Sequence, residues 1–408
     1  MYATIPDAKA AADGPEAPIN LASLGRVRIL RALTDKPVLS RAELVQRTGL
    51  ARATVGSVID DLIGAGLVRT TTEPLAPGAR SGRPPQLLSL EARAGYAVGL
   101  DVGHDHVRVI LTDLVGTSVW DSSVALSVDG DPRRTLDAAV ELIDRAIGDT
   151  GVPRERVLGL GLGIACPVDA GGDLYTDGIM PGWTGVRPAD ELTDRTGLAV
   201  RIVNDANACV LAECRFGAAK DCADIIYLRL SAGIGASMVC DGRVVLGCGG
   251  FAGEIGHLTL DPRGAVCRCG NRGCLETVAS PPAIAALLSR SWGRPVSTAE
   301  LAELIGAGDR GALRAVGDAG DAVGRALTVA VMLLNPALIV VGGELIIAGE
   351  SLFEPMRRIL IRDGMRSHTR HLRIVSSALG DSAGVRGAAA LVLDGVPERL
   401  GLEPPPSA

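Results

Sequence analysis

The chain has 408 residues, 47% of them apolar, too many for one hydrophobic core, so two or three packed domains are expected. Its net charge of −6 argues against a protein that coats nucleic acid along its whole length. No apolar run reaches the roughly 18 residues of a membrane span, and the N-terminus lacks the basic start and apolar stretch of a leader; the expectation is a cytoplasmic protein with no membrane partner and a disordered tail at residues 1–19.

Residues 20–90 carry ten basic side chains against five acidic ones, the local asymmetry expected where one end of an acidic chain meets phosphates. Apolar periodicity predicts helices at 21–33, at 41–47 with Ser40 as N-cap and Glu43 three residues on, and at 52–65, with Gly49 in the turn between the last two. The segment 67–90 is dense in Gly and Pro and reads as a strand, an irregular wing and a returning strand. Three helices and a hairpin make a winged helix-turn-helix over 20–90. In the third helix Arg52, Thr54 and Ser57 lie on the early exposed turns while Val55, Val58 and Leu62 keep the apolar period, the arrangement that presents side chains to base edges and phosphates. An ordinary solvated helix surface has the same pattern. The wing raises the case for DNA, because Arg80 and Arg83 sit on a thin Gly/Pro backbone suited to a minor groove; the alternative is an interdomain linker.

From residue 96 short β-rich runs take over, at 96–102, 106–114 and 118–126, then a helix at 132–147 and a buried strand at 157–164. A second set follows at 225–230, 234–240, 338–341 and 373–379, with a final helix from Ala383. Two such halves predict an α/β body of the two-lobed actin-like ATPase (ribonuclease H-like) type, as in sugar kinases, with a ligand cleft between the lobes. The expected division is a first lobe at 95–210, completed by the helix 383–396, and a second lobe at 211–382.

Nine cysteines in a large chain without a leader do not read as a disulfide framework. Three of them, Cys267, Cys269 and Cys274, form a C-x-C-x₄-C loop with His257 just upstream. One imidazole and three thiolates on a glycine-punctuated loop match the closed Cys₃His set of a structural zinc site. Buried reduced cysteines are the alternative.

With these motifs in view, the chain closely resembles the ROK family, named for its repressors, open reading frames and kinases. The resemblance rests on Gly253-Glu254-Ile255-Gly256-His257 with the cysteine loop, on Val203-Asn204-Asp205-Ala206-Asn207-Ala208, on Asn335-Pro336 with Gly342-Gly343, and on Gly380-Asp381 with Gly387-Ala388-Ala389. Leu39-Ser40-Arg41-Ala42-Glu43-Leu44 and Ser81-Gly82-Arg83-Pro84-Pro85 resemble the DNA-binding half of the family's repressors, so it spans about residues 20 to 395. It implies sugar contacts from Asn204, Asp205, Glu254, His257 and Glu276, with His257 serving zinc through one ring nitrogen and the sugar through the other.

Against the family's kinases the chain departs at three places. Their Asp-x-Gly-Gly-Thr-Lys hairpin is replaced by Asp101-Val102-Gly103-His104-Asp105-His106, which sets a carboxylate where phosphates would approach, and their Gly-Thr-Gly turn by Ser231-Ala232-Gly233. Ile179 stands where those kinases often have asparagine. Asp205 keeps the place of their general base, but without a donor it is a hydrogen-bond acceptor. The reading is a regulator, not an enzyme, whose partners are operator DNA, a sugar or sugar phosphate effector and further copies of itself as a homodimer or tetramer. Ligand binding would shift the separation of two winged helices on a palindromic operator. An ATP-dependent sugar kinase with a fused DNA-binding arm, and a constitutive DNA-binding protein with a vestigial body, are the rivals.

Overall fold

The computed structural model describes residues 21–71 and 86–402; the expected tail and the wing segment with Arg80 and Arg83 lie outside them. The N-terminal module runs α1 (Leu21–Asp35), β1 (Leu39–Ser40), α2 (Arg41–Thr48), α3 (Arg52–Gly64), β2 (Val68–Thr71) and β3 (Leu87–Leu90). Its apolar period buries Ile29, Leu33, Leu44, Val55, Ile59 and Leu62 in one core. The start of α2 is fixed by a capping box: Ser40 N–H donates to Glu43 Oε2 at 2.8 Å, and Glu43 N–H donates to Ser40 Oγ at 3.2 Å. Gly49 ends it in the left-handed region, φ 68°. The three strands form an antiparallel sheet in the order β1-β3-β2.

The body holds two five-stranded sheets. The first contains β4 (Tyr96–Val102), β5 (His106–Asp113), β6 (Ser118–Ala125), β7 (Val157–Ile164) and β8 (Val200–Asn204), in the order β6-β5-β4-β7-β8, with α4 (Pro132–Thr150) and α5 (Pro188–Thr196) alongside. β4 and β7 are buried at every position, as central strands covered on both faces must be. Helix α6 (Asp205–Phe216) follows β8 with no linker and leads to the second sheet.

That sheet contains β9 (Ile225–Leu230), β10 (Ile234–Cys240), β11 (Arg243–Val244), β12 (Leu338–Gly342) and β13 (Arg373–Ser376), in the order β11-β10-β9-β12-β13. Its helices are α7 (Glu276–Ala279), α8 (Pro281–Trp292), α9 (Thr298–Gly306), α10 (Arg310–Leu334), α11 (Glu350–Asp363) and α12 (Arg366–Thr369). The strands expected at 96–102, 157–164, 225–230 and 234–240 have those bounds. The one expected at 373–379 ends at Ser376, where Ser377 and Leu379 turn to bond Glu213.

Two helices join the parts. α13 (Ala383–Asp394) lies between the sheets against α6, β4 and β7, and small residues let backbone meet backbone there. A Cβ at Gly387 would sit 1.7 Å from the Ala208 carbonyl oxygen, and one at Gly161 1.8 Å from that of Ala388. Past Gly395 the chain forms α14 (Val396–Leu402), which packs on α1, with Leu400 against the N-terminal core. Among the described residues no helix is long and apolar enough to cross a membrane.

Candidate functional site

A cleft of about 360 Å³ opens between the two sheets. It is lined by the β4–β5 turn, the β8–α6 junction and the N-terminal end of α13, and by the β9–β10 turn together with Glu254, His257, Arg268 and Glu276. All five residues expected on the sugar side, Asn204, Asp205, Glu254, His257 and Glu276, line this one cavity, and Ile179 lines it too.

Asn204 and Asp205 are placed by the strand-to-helix junction. Asn204 caps α6, its Oδ1 accepting from Ala206 N–H at 2.9 Å while its Nδ2 donates to the Cys166 carbonyl at 3.2 Å. Asp205 Oδ1 accepts from the same Ala206 N–H at 2.7 Å, and its Oδ2 lies 2.9 Å from Arg229 Nη1. Glu276 is held by Arg268 through two parallel contacts, Nε to Oε1 at 2.9 Å and Nη2 to Oε2 at 3.0 Å, and also accepts from Ile234 N–H at 3.0 Å. Glu254 has no such clamp. Burial, and then the charges of Asp205 and Glu276, push its carboxyl up to about 7.

At the other end of the cleft the β4–β5 turn folds on itself. The His106 ring lies on Gly103, where a Cβ would meet its Cε1 at 2.3 Å. Its Nδ1 is 2.9 Å from Asp105 Oδ1 and its Nε2 3.5 Å from Asp101 Oδ2. These carboxylates, Asp101 foremost, raise His106 to about 9 against its own burial, so the ring is cationic at neutral pH. Asp101 is buried and its Oδ1 has no hydrogen-bond partner.

The ligand atoms of His257, Cys267, Cys269 and Cys274 all lie within 4.8 Å of one another and could hold a metal ion. The loop closes through Cys267 N–H to the Asn271 carbonyl at 2.7 Å. Gly273, φ 61°, passes so close to Asp261 that a Cβ would sit 1.7 Å from its carbonyl oxygen, so no other residue fits the turn. His257 presents Nδ1 to Cys267 Sγ at 3.5 Å and Nε2 to Glu254 Oε2 at 3.9 Å. One ring nitrogen thus faces the thiols and the other the cleft.

Far from the cleft, Arg52, Thr54 and Ser57 are exposed on α3. Ala51 precedes that helix with no side-chain cap, which leaves first-turn N–H groups open. Arg80 and Arg83 lie outside the described residues. Sequence reasoning missed Arg229 and Arg268, each the ion-pair partner of an expected site carboxylate.

The family model described as the ROK family matches residues 97–395, and one described as winged helix-turn-helix DNA-binding matches residues 26–69. The xylose repressor of Bacillus subtilis (strain 168) is 31% identical over 369 residues, covering 90% of this chain and 94% of its own. A solved ROK family transcriptional regulator, a homolog of the E. coli MLC protein, is similar with TM-score 0.78 at 26% identity, covering 94% of this chain and 98% of its own. The ROK hexokinase from Thermus thermophilus, TM-score 0.59 at 34% identity, covers 73% of this chain and 97% of its own. The two regulators match nearly end to end, and the kinase does not.

Proposed function

The chain belongs to the ROK family, and on that premise we propose that it is a sugar-responsive DNA-binding transcriptional repressor of carbohydrate uptake or catabolism genes. The observation that carries the reading is one chain's union of a winged helix-turn-helix with a polar cleft, joined by α13 and α14. The proposed division is a DNA-binding module at 20–90, a first lobe at 95–210 completed by 383–396, and a second lobe at 211–382, with the boundary between the lobes inside α6.

Asn204, Asp205, Glu254, His257 and Glu276 would hold the sugar, whose hydroxyls both donate and accept. Arg52, Thr54 and Ser57 of α3, with Arg80 and Arg83, would meet the operator. A homodimer or tetramer would set two such helices at the half-site spacing of a palindrome, so cleft closure would change DNA affinity if the sugar favours one state. We place the protein in the cytoplasm, where its DNA is.

Zinc suits the cysteine loop. A tetrahedral ion about 2.3 Å from sulfur and 2.0 Å from nitrogen sets neighbouring sulfurs ~3.8 Å apart and sulfur from nitrogen ~3.5 Å; Cys269 and Cys274 Sγ are 3.7 Å apart, and Cys267 Sγ and His257 Nδ1 3.5 Å. Four protein ligands close the shell, so the ion's contribution is structural. It would fix the His257 ring whose other nitrogen faces the cleft.

Kinase activity is absent on this reading. A phosphoryl donor at the β4–β5 turn would meet the Asp105 carboxylate and a His106 ring already seated on Gly103. The rival, an ATP-dependent sugar kinase with a DNA-binding arm, keeps Asp101, Gly103, Asp205 and the Gly342-Gly343 turn in its favour.

Fluorescence anisotropy on DNA from the protein's own upstream region, with and without D-xylose, D-glucose and N-acetyl-D-glucosamine, tests the proposal. Specific binding that one sugar weakens is the expected result. No specific binding under any condition would end the repressor reading and make sugar-dependent ATP consumption the next measurement.

A further inference from the structure

Strand β9 is a run of buried apolar residues broken by one cation, Arg229. The neighbours of β9 in the sheet are β10 and β12, so this guanidinium rises from the middle of a sheet rather than from an edge. A charge in that position persists only with an opposite charge beside it. The partner is Asp205 at 2.9 Å, and each side chain is only 17% exposed. Asp205 begins α6 at the end of β8, in the first sheet, whereas Arg229 stands on the second. The pair therefore spans the cleft, and both residues line the cavity.

The pair also decides what Asp205 can do. Its Oδ1 is turned to Ala206 N–H and its Oδ2 to Arg229, which fixes the carboxylate plane. Each oxygen retains a lone pair, and the fork of Arg229 has N–H donors beyond the one aimed at Asp205. An acceptor and a donor set side by side match two adjacent hydroxyls of a sugar: one donates to Asp205, and its neighbour accepts from Arg229.

We propose that Arg229 is the specificity-determining residue of this cleft, forming with Asp205 a two-point clamp for a vicinal diol of a neutral, unphosphorylated sugar. The inference rests on the sugar-sensing reading and narrows it. A phosphate at this end of the sugar would approach Asp101, Asp105, Asp205 and Asp381 around the same cavity, and the cations beside them are engaged, Arg229 by Asp205, His106 by Asp101 and Asp105, and Arg108 by Asp121. The balance opposes a second dianion.

Calorimetric titration of the full chain with D-xylose, D-glucose, D-mannose, their 2-deoxy analogues and glucose 6-phosphate tests this, using wild type, Arg229→Lys, Arg229→Met and the double variant Arg229→Met/Asp205→Asn. Wild type should bind one neutral sugar, Arg229→Met about tenfold or more weakly, with partial recovery in Arg229→Lys, as removal of a charged hydrogen bond predicts. The double variant strands no charge, so it should keep the wild-type melting temperature and still bind poorly, which separates loss of recognition from loss of folding. Arg229→Met binding within about twofold of wild type, or glucose 6-phosphate outcompeting glucose, would overturn the clamp while leaving the sensor reading intact. Wild type binding nothing in the panel would overturn both.

Discussion

Arg31 of α1 and Glu398 of α14 form an ion pair that joins the first and last helices of the described chain. Both side chains are largely exposed, so the pair itself contributes at most about 1 kcal/mol; Leu400, packed into the core of the DNA-binding module, is the heavier contact. Because Gly384, in the first turn of α13, and Gly380 and Asp381 just before it line the cleft, the α13–α14 path is the expected route from sugar to DNA. Leu400→Asp should leave sugar affinity unchanged and shrink the sugar-dependent change in DNA anisotropy. Glu398→Arg should do so more weakly and be corrected by Arg31→Glu in the same chain. A full sugar response in Leu400→Asp would exclude this route.

The turn at His106 carries a pH signature. Asp101 foremost, and Asp105, hold the imidazole protonated up to about 9 against an ordinary value of 6.5. The folded state thus favours the proton, so the stabilisation is complete below pH 6.5 and is lost as pH rises through about 9. The ring is 32% exposed, and screening reduces the gain to about 1–2 kcal/mol. Melting temperature measured from pH 6.5 to 9.5 should fall in wild type and fall less in His106→Gln. Equal slopes would show that the carboxylates do not hold the ring.

Metal analysis of protein purified without chelator should find one zinc per chain. Cys274→Ser, at a fully buried ligand position, should lose the metal and lower the melting temperature by on the order of 10 °C. It should weaken sugar binding as well, because His257 loses its anchor. Normal stability in a metal-free chain would remove the ion from the structural account.

The seam around α13 sets a steric test. Gly387→Ala would drive a methyl group into the Ala208 carbonyl and should cost about 3 kcal/mol or more. Gly148→Ala, in α4 with nothing within 4 Å of the added carbon, should be neutral or stabilise by up to about 1 kcal/mol. Urea unfolding of the two variants side by side makes the comparison.

Much of this was legible in the chain itself, for reasons particular to each element. The capping box at Ser40 and Glu43 is local chemistry, so it marked α2 directly. β7, covered on both faces, reads as an unbroken apolar run, and β4 as one interrupted only by Asp101. Strand β8, short and half-exposed, gave no such signal, although Asn204 and Asp205 at its end were found by motif. The partners of the site carboxylates escaped notice because an ion pair is a property of the folded chain. Arg229 sits in an otherwise apolar strand and Arg268 between two cysteines, and neither position carries a local signal of its partner. α14 lies beyond the final helix expected at 383–396, because nothing in the local pattern announces that the chain past Gly395 will pack onto α1.

The contact of α13 with α6 and β7 has one more consequence. Where side chains interlock, a small shift is absorbed by rotamers within the core; where backbone rests on backbone, as at Gly161 and Gly387, there are no rotamers to absorb it. The joint leaves no side chain between the two backbones to yield. A displacement entering at Gly384 is therefore expected to move α13 as one piece as far as Gly395, where the chain passes into α14 and Glu398.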